Sequence, residues 1–168
     1  RTPMNGILGI GALLRDSPLN ADQRDLLDTL QDSGESLLTI INDILDFSKI
    51  EAGRLTLERT IVEPRRLVTD AARLLELGTR NKGLTLATHV ADDVPQHLWG
   101  DPGRLRQVLI NLLGNAVKFT ERGGVTATVT ASGADDASVV LRIEVTDTGI
   151  GIDAVHQARL FTAFTQAD

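Results

Sequence analysis

Two asparagines one helical turn apart, Asn111 and Asn115, are the first residues in this sequence whose types and spacing suggest chemistry. Side chains four apart share a helix face, so these would aim two amide oxygens at one point. Turning each residue by about 100° sets Arg104, Gln107, Asn111, Asn115 and Lys118 within an arc of about 80°. A solvated face is one account of this stripe. The other is a metal and phosphate shell: Mg²⁺ takes hard oxygen ligands, keeps several waters and draws the rest from substrate phosphates. Lys118 would suit the phosphates themselves. Solvated stripes favour Glu and Lys, whereas asparagine is a mediocre helix former, which weighs toward the second account.

A second candidate is Asp147-Thr148-Gly149-Ile150-Gly151-Ile152, directly after a predicted strand that ends at Thr146. A strand-end carboxylate can accept a hydrogen bond from the exocyclic amino group of a base, and two glycines let the backbone approach a flat ligand. Asp-Thr-Gly also marks aspartic proteases, and a glycine-rich turn after a strand is often only a turn. It is the Asn-x-x-x-Asn helix followed, after a β-hairpin, by Asp-x-Gly-x-Gly that favours the nucleotide reading. The three histidines do not compete with it. His89 falls on the solvent side of its strand, while His97 and His156 stand alone near loops, so all three read as surface or structural residues.

These groups need elements to hold them. Asp101-Pro102 supplies an N-cap and a first-turn proline for a helix to about Thr120, with Leu105, Val108, Leu109, Leu112, Leu113 and Ala116 on its expected core side. Val125, Ala127 and Val129 alternate, and so do Val139, Leu141, Ile143 and Val145, which predicts an antiparallel hairpin with one buried face. Upstream, Leu55 and Leu57 alternate like a short strand. Pro64 starts a helix with Leu67, Ala71, Leu74 and Leu75 on one face, Asn81-Lys82-Gly83 closes it, and Leu84 and Leu86 mark another strand. The expected fold of residues 54–168 is α+β, with helices layered on one side of a mixed sheet.

Residues 1–53 read differently. Met4, Ile7, Leu8 and Leu14 recur at helical spacing, Ser17-Pro18 breaks the run, and Asn20 to Gln23 restarts it as a capping box. Leu26, Leu27, Leu30, Leu37, Leu38, Ile41, Ile44 and Leu45 then form a stripe that Gly53 is placed to end. Such a stripe is too wide for one partner helix. Pairing with the same hairpin of a second chain would complete a four-helix bundle, so a homodimer is expected; docking on the chain's own next domain is the alternative.

Composition excludes several classes. A chain of 168 residues can bury a real core, and 42% hydrophobic with 24% charged residues is the profile of a globular protein. A net charge of −6 and five aromatic residues, Trp99 and four phenylalanines, argue against a nucleic-acid partner. With no cysteine there is neither a disulfide nor a thiolate site. No apolar run approaches the length of a membrane span, so membrane attachment is expected only through regions outside this chain.

Asn111 to Thr120, read as Asn-Leu-Leu-Gly-Asn-Ala-Val-Lys-Phe-Thr, resembles the asparagine box of the sensor histidine kinases of two-component signalling. Asp147 to Ile152 resembles their first glycine box, and Leu160 to Asp168 their phenylalanine box. Arg1 to Gly6 is similar to the end of the phosphoacceptor box, and Asp46 to Gly53 to the end of the second helix in hybrid-type members.

The resemblance implies a helical hairpin, residues 1–53, that is half of a dimeric four-helix bundle. It implies an α/β-sandwich ATPase domain of Bergerat fold over 54–168. It further implies ATP and Mg²⁺ as cofactors, a homodimer, a response-regulator receiver domain as partner and a cytoplasmic kinase core. Residue by residue, Asn115 would be the principal Mg²⁺ ligand with Asn111 beside it, Lys118 would contact phosphate, and Asp147 the adenine amino group. Gly149 and Gly151 would form the nucleotide-facing turn, with Arg104 and Gln107 at the pocket edge. Phe161 and Phe164 would hinge a lid over ATP, and Thr2 matches a position that helps orient water when the kinase dephosphorylates its regulator.

The family's acceptor histidine is expected ahead of Arg1 and its second glycine box beyond Asp168, so these residues alone are expected not to autophosphorylate. Two rival readings are a Bergerat-fold ATP hydrolase and a non-catalytic nucleotide-binding dimerisation module. The hydrolases place a Glu base where Asn111 stands, and an amide cannot take that proton. Asn115 and Asp147 argue against the non-catalytic module.

Overall fold

The computed structural model describes residues 2–133 and 138–157. The chain forms two compact units, Arg1–Thr56 and Leu57–Asp168.

The first unit is a helical hairpin of α1 (Thr2–Arg15) and α2 (Ala21–Glu51). The capping box is present in full: Asn20 Oδ1 accepts from the Gln23 amide at 2.8 Å, and the Asn20 amide donates to Gln23 Oε1 at 3.1 Å. Each bond satisfies an N–H that the first helical turn would otherwise leave unpaired. At the other end the chain leaves the helix through Gly53, whose φ of 63° is the left-handed conformation expected there. The two helices approach closely at Gly34, where an added Cβ would stand 2.7 Å from Leu8 Cδ2. The Arg15 guanidinium donates to Asp28 and ties the closed end of the hairpin.

Much of the apolar surface stays uncovered within the hairpin. Ile7, Ile10, Leu14, Leu26, Leu30, Leu37, Ile40, Ile44 and Leu45 are all exposed.

The second unit has the order β1 (Thr60–Val62), α3 (Pro64–Asn81), β2 (Thr85–Val90), β3 (Leu98–Gly100), α4 (Pro102–Phe119), β4 (Gly124–Ser132), β5 (Val140–Asp147) and α5 (Ala154–Gln157). The main sheet runs β2-β4-β5 and is mixed as expected, β2 lying parallel to β4 and β4 antiparallel to β5. Val125, Ala127 and Val129 alternate into the core with Val68, Ala71, Leu109 and Leu113 of α3 and α4, which layers the helices on one face. Among the described residues no helix is long and apolar enough to cross a membrane.

Three local expectations are corrected. No strand contains Leu55 or Leu57; the strand is Thr60–Val62, and Leu57 is exposed. Its partner β3 is only three residues long, too short for alternation to reveal. Pairing of Thr60 with Gly100 and Val62 with Leu98 buries Val62, which sets the register. On α3, Leu74 points to solvent while Val68 and Ala72 are buried. On α4, Val108 and Leu112 are exposed, because the buried arc centres on Leu109, Leu113, Ala116 and Val117.

Candidate functional site

Helix α4 is fastened at its start by Asp101. One carboxylate oxygen accepts from the Arg104 amide and the other from the Glu58 amide, each at 3.0 Å. The Arg104 amide, then that of Glu58, holds the Asp101 carboxyl below the usual carboxylate range. Pro102 occupies the first turn, where its missing N–H costs no hydrogen bond. Behind this cap, Arg104 Nη1 donates to Gln107 Oε1 at 2.8 Å, linking the first two residues of the polar stripe. Asn111, Asn115 and Lys118 continue it and are exposed. Lys118 Nζ lies 5.1 Å from the centroid of the Phe119 ring.

The Asp147 loop is built onto the other end of the helix. The Gly149 amide donates to Asp147 Oδ1 at 2.8 Å, so the carboxylate that ends β5 is held by its own turn. A side chain at Gly149 would collide with the carbonyl oxygen of Phe119 and stand 2.8 Å from Asp147 Oδ1. The Ile150 amide donates to that same Phe119 carbonyl at 3.4 Å. Thr148 braces the loop from the side: its hydroxyl donates to the Arg122 carbonyl at 2.9 Å and accepts from the Gly124 amide at 3.1 Å, while its own amide donates to Gly124 O at 3.2 Å. Gly151 follows with φ of 71°, which L side chains rarely adopt.

The fold thus seats the Asp147–Gly151 turn against the residue that follows Lys118. Thr2 is an exposed residue at the start of α1, in the other unit. Phe161 and Phe164 lie outside the described residues. His89 and His97 are exposed, and His156 Nδ1 sits 2.7 Å from Asp153 Oδ1 in a local turn.

Sequence reasoning missed two contributions. Thr148, read only as a spacer between Asp147 and Gly149, is the brace of the loop. Val108 and Leu112, assigned to the core, instead make an exposed apolar margin beside the amide stripe, joined by exposed Phe119 at the helix end. The signal was in the helical arithmetic, since these residues fall between the polar arc and the core arc.

Among the described residues no three His, Cys, Asp or Glu side chains converge as a metal site. The oxygen donors that α4 offers are the amides of Asn111 and Asn115. Two neutral oxygens on an exposed face fit Mg²⁺, which keeps waters and completes its shell with phosphate, better than a metal needing an all-protein cage.

Comparison with known proteins finds two families in the chain. Residues 1–53 match the family model "His Kinase A (phospho-acceptor) domain", and residues 100–168 match "Histidine kinase-, DNA gyrase B-, and HSP90-like ATPase". The signal transduction histidine-protein kinase BarA of Escherichia coli K12 is 44% identical over 168 residues, all of this chain and 18% of BarA. The sensory/regulatory protein RpfC of Xanthomonas campestris pv. campestris is 46% identical over 169 residues, covering 100% of this chain and 23% of RpfC. The crystal structure of full-length ShkA in complex with AMPPNP superposes with a TM-score of 0.78 at 42% identity, over 99% of this chain and 35% of ShkA. The chain therefore spans about a fifth of the length of these curated relatives.

Proposed function

This chain belongs to the sensor histidine kinase family, and from that premise we propose that its second unit binds ATP with Mg²⁺ for phosphoryl transfer to a histidine. The observation that carries the reading is the seating of Gly149 on the Phe119 carbonyl, which ties the carboxylate turn to the end of the amide and lysine stripe. A ligand spanning the two would meet a base-reading carboxylate at one end and oxygen and ammonium groups at the other. ATP has that sequence of chemistries. ShkA, whose structure holds AMPPNP, is consistent with it.

In this reading Asp147 accepts from the adenine amino group, while its Gly149 hydrogen bond fixes the direction of the carboxylate. The glycine turn allows close approach of the flat base. The apolar margin of Val108 and Leu112 excludes water beside it. Asn115 and Asn111 hold Mg²⁺, which when bound neutralises charge on the phosphates. Lys118 leaves Phe119 to meet phosphate, and Arg104 with Gln107 borders the pocket.

An acceptor imidazole would be nucleophilic because the histidine side chain is largely neutral near pH 7. Its lone pair forms the N–P bond as the bond from phosphorus to the ADP oxygen breaks. The phosphoryl group then passes to an aspartate of a receiver domain, and Thr2 orients water for the reverse duty. Asn111 disfavours ATP hydrolysis as the primary reaction, because an amide cannot serve as the base for water.

The first unit is the dimerisation element of this proposal. On α1, Met4, Leu8 and Gly11 fall on the arc toward α2, whereas Ile7, Ile10 and Leu14 form a separate exposed arc. A second hairpin laid against that arc and against Leu30, Leu37 and Ile44 would remove the apolar surface from water and complete four helices. The core acts on the cytoplasmic side, and any membrane anchor belongs to other parts of the protein.

Titration calorimetry of the chain with AMPPNP, with and without Mg²⁺, tests the reading. Saturable binding strengthened by Mg²⁺ is expected, and absence of binding in both conditions would refute it.

A further inference from the structure

We propose that Lys82 is a positioning residue for the phosphate end of the nucleotide site, acting through the last turn of α4; this rests on the nucleotide reading above. An α-helix leaves its last four carbonyls without intrahelical partners. At the end of α4 the structure accounts for three consecutive ones. Lys82 Nζ donates to Val117 O at 2.8 Å and to Lys118 O at 3.0 Å. The Phe119 carbonyl accepts from the Ile150 amide at 3.4 Å. The helix end is thus shared between α3, which delivers Lys82 as its C-cap residue, and the glycine turn.

The ammonium suits this place twice over, as a donor to both carbonyls and as a positive charge at the negative end of the helix dipole. Asn115 and Lys118 leave the helix from this same turn. If the two carbonyls lose their donor, the turn frays toward water and those two side chains lose their common direction. The base end has anchors of its own besides the Phe119 carbonyl: Asp147 is held by Gly149, and Thr148 by Arg122 and Gly124. Loss of Lys82 therefore separates the two ends of the site, which a general loss of stability would not do.

The test compares wild type, Lys82→Met, Lys82→Arg and Asp147→Asn by calorimetry with two probes, AMPPNP with Mg²⁺ and adenosine, alongside amide exchange of Lys118 and Phe119. Expected for Lys82→Met is about tenfold weaker AMPPNP binding, adenosine affinity within about twofold of wild type, and faster exchange at both amides. Lys82→Arg, which keeps charge and donors, restores the wild-type pattern. Equal AMPPNP affinity in wild type and Lys82→Met overturns the proposal, and so does an equal loss for both probes, which is a purely structural effect. Failure of the wild type to bind either probe refutes the nucleotide reading, and the positioning role with it; this is distinguishable because Lys82 is then intact.

Discussion

Gly149 faces the carbonyl of Phe119 so closely that no side chain fits between them. The nearest obstruction is the Phe119 backbone, which cannot swing aside as a flexible side chain would, and on the other side the Asp147 carboxylate could move only by giving up its hydrogen bond from the Gly149 amide. Gly149→Ala must push the turn off the helix end. The expected result is at least tenfold weaker AMPPNP binding in calorimetry, while the far-UV spectrum keeps its helix and sheet content. Unchanged affinity would show that the contact does not shape the site.

Asp147→Asn separates the carboxylate's charge from its place in the turn. An Asn oxygen can still accept from the Gly149 amide, so the melting temperature should stay within a degree or two. Charge-assisted hydrogen bonds are worth about 1.5–3 kcal/mol, so adenine nucleotides should bind at least about tenfold more weakly. Equal affinity in the mutant would remove Asp147 from base recognition.

Asp101 makes stability depend on pH in a definite direction. Hydrogen bonds from the Arg104 and Glu58 amides lower its folded pKa below the reference 3.8. Its contribution is therefore complete above that value and lost as pH falls through the folded pKa. In urea titrations Asp101→Asn should unfold at lower denaturant than wild type at pH 7, and the gap should narrow as the pH falls below 3.8. A gap that is constant across that range would mean the carboxylate charge contributes nothing.

Light scattering should find the full chain dimeric and residues 57–168 alone monomeric. Ile10→Glu should dissociate the full chain, since Ile10 belongs to the exposed α1 arc and a carboxylate there would be buried in the bundle. A dimer that persists in residues 57–168 would move the interface to the other unit.

Gly34→Ala tests the helix contact inside the hairpin. The new Cβ would stand 2.7 Å from Leu8 Cδ2, so Leu8 must change rotamer or the helices must part. Leu8 Cδ2 is the far end of a flexible side chain, so the cost should fall at the low end of the about 1–3 kcal/mol typical of overpacking, partly offset by the helix-propensity gain of about 1 kcal/mol on removing a glycine, and the melting temperature should fall by no more than a few degrees. A higher melting temperature in the variant would show that the hairpin accommodates the methyl freely.

What the sequence determined by itself is local. The Asn20–Gln23 box, the Asp101-Pro102 start of α4, the stripe from Arg104 to Lys118 and the alternation of Val125, Ala127 and Val129 all follow from spacing along one element, where chain geometry alone decides which residues are neighbours. Helical arithmetic put Val108 and Leu112 at the edge of the apolar arc of α4, beside the polar stripe, but whether that edge is covered depends on how α3 and the sheet lie against it, and they leave both residues facing outward. Pairing of Thr60–Val62 with Leu98–Gly100 and the parallel course of β2 and β4 join segments far apart in the chain, and short strands carry no mark of their partner. The same limit hid Lys82. A lysine after a helix reads as a solvated cap until folding sets it beside carbonyls 35 and 36 residues away. Tertiary structure alone decided that contact, because a hydrogen bond depends on distance in space and the sequence records only distance along the chain.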